Sequence, residues 1–174
     1  MATSTLLQQI DGVASNFGAT TSNRRQVETF VVKNTNGSGV TKTVTAGQWV
    51  SFDTGASGDV ISGADRVRCV KVIDTSGGAV AIGVPVVGVA LDSVTVAEPG
   101  VSGVSVETPI RVVVAGYAEN ASVATGSTKD LALALDTTTS GRATIADAAN
   151  VNICGVALED AASNVADVWV FKQF

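Results

Sequence analysis

Gly88-Val89-Ala90-Leu91-Asp92 returns later in the chain as Gly155-Val156-Ala157-Leu158-Glu159. An apolar pair leads into each copy, Val86-Val87 before the first and Ile153-Cys154 before the second. The likeness extends further. Gly47, then Phe52-Asp53-Thr54 and a Gly/Ser turn, parallels Gly126, then Leu135-Asp136-Thr137 and a Gly/Ser turn. Cys69 with Asp74 and Cys154 with Glu159 continue the parallel, which places the two cysteines in corresponding strands. With gaps allowed, this is a degenerate internal duplication, and a repeat has to be recognised first because missing it misreads the fold. In each word the glycine allows a bulge or a close backbone approach, Val-Ala-Leu packs the core, and the acid ends the strand.

The composition favours strands. The chain has 174 residues, with 30 Val and 7 Ile against 7 Leu, and 18 Gly. β-branched side chains suit a pleated surface and lose rotamer freedom in helices. Short Val-rich runs separated by Gly, Ser, Thr and Asn clusters read as many short strands and turns. The expected fold is all-β: a compact β-sandwich or barrel-like body over residues 26–174 with a degenerate internal repeat. An extended or partly helical N-terminal arm, residues 1–25, precedes it. In the arm Leu6, Leu7, Ile10, Val13 and Phe17 recur at helical spacing, Gly12 and Gly18 weaken the helix, and Arg24-Arg25 marks the edge of the body. Strands are expected at 26–33, 40–45, 48–53, 66–74, 80–91, 104–107, 110–117, 131–136, 142–145, 152–158 and 167–171. Pro109 should break the chain between two of these, 92–103 should be a loop or loose hairpin, and 120–130 should be a loop. Trp49, Trp169 and Tyr117 are read as core anchors, with interface residues as the alternative.

Chemistry is constrained by what is missing. The chain has no histidine, which removes Ser-His-Asp and Cys-His systems and the commonest zinc ligand. A net charge of −5 disfavours a nucleic-acid partner, whose phosphates call for a basic face. No apolar run approaches the roughly 18–20 residues of a membrane span, and no basic segment precedes an apolar one as a secretory signal would require. Cys69 and Cys154 read as reduced, buried small hydrophobes. Phe52-Asp53-Thr54-Gly55-Ala56-Ser57 resembles the Asp-Thr-Gly loop of aspartic proteases, where two carboxylates share a proton. A chain of this length would carry a retropepsin-like half site and need a homodimer. The counterpart Asp136-Thr137-Thr138 lacks the glycine, so the stretch reads as a strand-ending turn. Asp53 with Asp59 fits no calcium pattern, and the glycine pairs do not form a phosphate loop. No metal, no cofactor and no enzymatic activity are expected.

Several words in order carry a family resemblance. They are Pro85-Val86-Val87-Gly88-Val89-Ala90-Leu91-Asp92, Arg111-Val112-Val113-Val114-Ala115-Gly116-Tyr117-Ala118-Glu119, Ser140-Gly141-Arg142-Ala143, and Gly155-Val156-Ala157-Leu158-Glu159 before a Val-rich end. Over roughly residues 44–174 the chain resembles the head-decoration (capsid cement) proteins of tailed bacteriophages. The front segment Ser22-Asn23-Arg24-Arg25-Gln26-Val27-Glu28-Thr29-Phe30 resembles those of phages of aquatic bacteria. The resemblance implies a structural protein without enzymatic activity, made in the host cytoplasm and carried on the outer surface of the virion capsid. It implies the major capsid protein as partner, and a homo-oligomer, commonly a trimer and in some relatives a dimer. Within that expectation Leu6, Leu7, Ile10, Val13, Phe17, Arg24 and Arg25 are the candidate contacts to shell or neighbour, since an arm can lend a strand to a partner sheet. A tail, fibre or carbohydrate-binding β module is the alternative.

Overall fold

The computed structural model describes residues 25–35, 41–53, 65–73, 85–99, 105–147 and 152–174. Within them run eleven strands: β1 (Arg25–Asn34), β2 (Lys42–Val44), β3 (Trp49–Phe52), β4 (Val70–Val72), β5 (Val86–Ala90), β6 (Val94–Val96), β7 (Val106–Ser122), β8 (Ala132–Leu135), β9 (Ala143–Ile145), β10 (Ile153–Ala157) and β11 (Val165–Val170). The helical content of the described residues is one 3-10 turn, Asp65–Val67. The chain is all-β, as its Val-rich runs predict.

The duplication is visible in the strand order. The main sheet runs β4-β3-β5-β7-β11-β10-β8-β9, with β1 added to β7. Read inward from its two ends the path is the same, β4-β3-β5-β7 matching β9-β8-β10-β11. The registers agree as well. Val50 faces Gly88 and Ser51 faces Val86 in the first copy; Leu133 faces Gly155 and Ala134 faces Ile153 in the second. Leu91 N donates to Arg111 O at 2.9 Å, and Leu158 N to Asp167 O at 2.8 Å.

Each copy curls into a small barrel. β1 lies antiparallel to β7, and the far half of β7 lies antiparallel to β11, so β1 serves the first copy as the end of β7 serves the second. A ring of five strands with antiparallel neighbours has an odd count, so its closing contact must be parallel. The two closing bridges, Val31 to Cys69 and Val123 to Ala143, are both parallel. Strand β7 is thus shared, its first half in one barrel and its second half in the other.

Two apolar clusters fill this scaffold. The first holds Phe30, Val50, Val70, Val87, Ala90, Ile110 and Val112, closed over by Val44 and Val96 from the β2–β6 pair. The second holds Leu133, Leu135, Ala143, Cys154, Ala157, Val168 and Val170, together with Trp49, Val86, Val89 and Val113 from the outer face of the first barrel. Burying one such valine is worth about 1.5–3 kcal/mol, so the seam between copies is a major part of the fold. Trp49 anchors it, with Nε1 donating to Ser122 O at 3.0 Å.

Strand β5 feeds both clusters because of its glycine. Val86 and Val89 point to one core and Val87 and Ala90 to the other. In a regular strand residues three apart lie on opposite faces. The register skip opposite Val50 and Ser51 inserts one residue and resets the alternation. Gly88 has φ +155°, and a Cβ there would lie 1.9 Å from Val113 O. A Cβ on Gly155 would lie 2.4 Å from Trp169 O. The repeated glycine marks a bulge and a close approach in both copies.

Some correspondences differ from expectation. The partner of Gly47 is Asp130, not Gly126: Gly47 N donates to Ala90 O at 2.8 Å, and Asp130 N to Ala157 O at 2.9 Å. Both have positive φ, +88° and +64°, and an acid substitutes for glycine there. Cys69 corresponds to Arg142, since Asp53 N donates to Cys69 O at 2.8 Å and Asp136 N to Arg142 O at 2.9 Å. Cys154 therefore matches Val87, and the two cysteines are not equivalent. Residues 66–69 form the 3-10 turn and the approach to β4 rather than a strand, and β6, within the loop or loose hairpin expected at 92–103, pairs with the distant β2. Pro109 does not break β7. It sits opposite Val31 of β1, beyond the part of β7 that pairs with β5, so its missing N–H can face the other edge.

Candidate interaction surface

The side chains singled out for chemistry are tied into the scaffold. Asp53, at the end of β3, is buried, with Lys42 Nζ 3.1 Å from Oδ2 and Lys71 Nζ 3.6 Å from Oδ1. Lys42 also donates to Lys33 O at 2.9 Å, so the pair fastens β2 to the ends of β1 and β3. Asp136 stands at the same place in the second copy, where it accepts from Thr138 N and Oγ1, each at 2.7 Å, and pairs with Arg142. Burial raises the Asp136 carboxyl, and the Thr138 and Arg142 contacts outweigh that and hold it below its ordinary value. The Asp-Thr-Gly loop thus presents a carboxylate held between two ammonium groups. Its residues beyond Asp53 lie outside the described ones, as does Asp59.

The acids of the repeated word also have structural duties. Asp92 takes the Arg111 guanidinium through both oxygens, and its Oδ2 accepts from Arg111 N at 3.0 Å. Glu159 accepts from Asp167 N at 3.0 Å, the corresponding amide of the second copy. The hydrogen bonds from Arg111 hold Asp92 below the ordinary carboxylate range. Cys69 and Cys154 are buried and outside any disulfide, and burial pushes the Cys154 thiol up. Among the described residues no three of His, Cys, Asp or Glu gather as a metal cluster.

Among the described residues, one apolar surface lies on the outside of the second barrel. Along β11, Ala166, Val168 and Val170 point into the core, so Trp169 points out. Trp169 stands opposite Val156 of β10 on one side and Tyr117 of β7 on the other. These three make a cross-strand row, each half-buried. Phe171 follows two positions on, its N donating to Cys154 O at 2.9 Å, and beside it Ile153 is exposed.

The row is charged along one side. Tyr117 OH donates to Asp167 Oδ2, and Asn120 N donates to Asp167 Oδ1 at 3.1 Å. That hydrogen bond, then burial, then the charges of Asp167, Glu119 and Glu159 push the Tyr117 phenol up to about 12. Lys172 follows Phe171 on the opposite side of the row, paired with Glu28 at 3.6 Å and lying over the Phe174 ring.

Of the residues marked from sequence as contacts, Leu6, Leu7, Ile10, Val13, Phe17 and Arg24 lie outside the described residues. Arg25 opens β1, exposed, opposite Gly116 and so next to Tyr117. Trp49 is the core anchor expected of it. Trp169 and Tyr117 are instead surface residues, which the alternation around Val168 and Ala118 signals once the strands are placed. A scan against family models, a search of curated proteins and a search of solved structures each return no match.

Proposed function

We propose that this chain is a structural decoration protein that binds the exterior of a tailed-phage capsid as a homo-oligomer and bridges neighbouring major-capsid subunits. One observation carries the reading. Among the described residues, Asp53, Asp136, Cys69 and Cys154 are tied into or buried in the scaffold, while Tyr117, Trp169, Ile153 and Phe171 face outward on the sheet. Such a surface serves protein contact, and several modest contacts on one oligomer multiply. The family resemblance supplies the partner, and the segment 1–25 supplies a second point of attachment.

The test is binding of the purified protein to tailed-phage heads that lack a decoration protein, followed by electron microscopy. The expected result is saturable binding spread over the head lattice, with a folded variant lacking residues 1–20 binding at least about tenfold more weakly. Density confined to one vertex would replace this reading with a tail or fibre component. Proteolysis that Asp53→Asn abolishes would replace it with a hydrolase.

A further inference from the structure

The outward row of the second barrel has a counterpart on the first. By register, Trp49, Val86, Val89 and Val113 stand where Ala132, Ile153, Val156 and Trp169 stand in the second copy. On the first barrel this face is wholly covered: all four side chains are 0 % exposed, within the core contributed by the second barrel. On the second barrel the same face is open, with Ile153 44 % and Phe171 38 % exposed. A face built to the plan of a buried one, carrying Trp, Tyr and Phe, has the composition of an interface centre.

We propose that this face packs against the same face of a second copy, about a two-fold axis that runs along the Val156–Trp169–Tyr117 row. Among the described residues, two other apolar faces of that second copy are already covered. Its first barrel is covered by its second, and its first core is closed by β2 and β6. The charges favour the same arrangement. Asp167, Glu119 and Glu159 lie along one side of the row, and Phe171, Ile153 and Lys172, the last paired with Glu28, lie along the other. A two-fold axis along the row sets the acidic side of each copy over the Lys172 side of its partner, so every favourable pair occurs twice. The packing is that of two aligned sheets, with aromatic rows interdigitating at the centre. This deepens the self-association in the reading above and rests on it, while capsid binding is measured separately.

Sedimentation of the full chain over a range of concentrations provides the test, with Trp169 emission as a second readout. The expected result is a dimer whose dissociation shifts that emission to the red. Ile153→Asp and Trp169→Glu should each raise the dimer Kd by about a hundredfold while leaving the circular dichroism of the body unchanged. Ile153→Asp alters an exposed position and guards against a folding failure at Trp169. Lys172→Glu should weaken the dimer, and adding Glu119→Lys should restore it. A role of Lys172 confined to Glu28 would give no such rescue. A monomer at all concentrations, a dimer indifferent to these substitutions, or a dimer lost only on removing residues 1–24 overturns the proposal. A monomer that still coats heads would leave the capsid reading standing, and a dimer that binds none would leave only the interface.

Discussion

At single residues, the glycines separate three kinds of constraint. Gly88 combines a positive φ with a Cβ position 1.9 Å from a backbone oxygen, and Gly155 has the close contact at 2.4 Å. Gly126 has φ +91° and open space around its Cβ. Alanine at Gly126 therefore costs only the left-handed backbone, about 1 kcal/mol. At Gly155 alanine forces two backbones apart, about 1–3 kcal/mol by analogy with overpacking. Alanine at Gly88 incurs both and should be the most destabilising of the three. Urea titrations of the three variants check the order, and equal costs would mean that the bulges relax freely. The sequence made these two glycines legible because the same word surrounds both. It hid the pairing of Gly47 with Asp130, because two residue types meet one backbone demand there, and it favoured Gly126, which meets none of the same neighbours.

Among the elements, turns are fixed by acids whose pairing depends on pH. Asp92 pins the end of β5 to Arg111 in β7, and Asp136 pins the end of β8 to Thr138 and Arg142. Hydrogen bonds from Arg68 likewise hold Glu107 below its ordinary value. A carboxyl lowered on folding adds stability above its unfolded value, near 4, and loses it as pH falls through the lower folded value. Stability should thus be level from neutral pH to about pH 5 and then decline. Asp136→Asn should be less stable than the parent at pH 7 and converge with it as pH falls through the lowered folded value of Asp136. Thermal melts at several pH values measure this, and a gap that persists in acid would assign the loss to packing. The strands themselves were mostly readable from Val alternation. β6 escaped notice because its three residues pair with a distant strand, β2, which no local pattern reveals. Pro109 misled because a strand with one free edge tolerates it.

Across the whole molecule, the repeat does not divide the chain into two independent barrels. The core of the second copy includes the outer face of the first, and β7 runs through both. That stacking was not legible, since Val86, Val87, Val89 and Val113 are the same residue type whether they face their own barrel or the next. Trp49 is the test of it. It belongs by sequence to the first copy, yet its indole donates to Ser122 O and its ring lies 3.3 Å from where a Cβ on Gly155 would stand. If the two copies were separable, Trp49→Ala would weaken a contact between domains and leave two transitions. With a shared core it opens a cavity in a single cooperative unit and costs about 3–5 kcal/mol. We expect one unfolding transition in parent and variant, displaced to lower denaturant at unchanged slope. Amide exchange in β3 and β10 should accelerate together, because global opening sets both. Accelerated exchange in β10 alone, or a second transition, would show that the seam is a docking contact rather than a core.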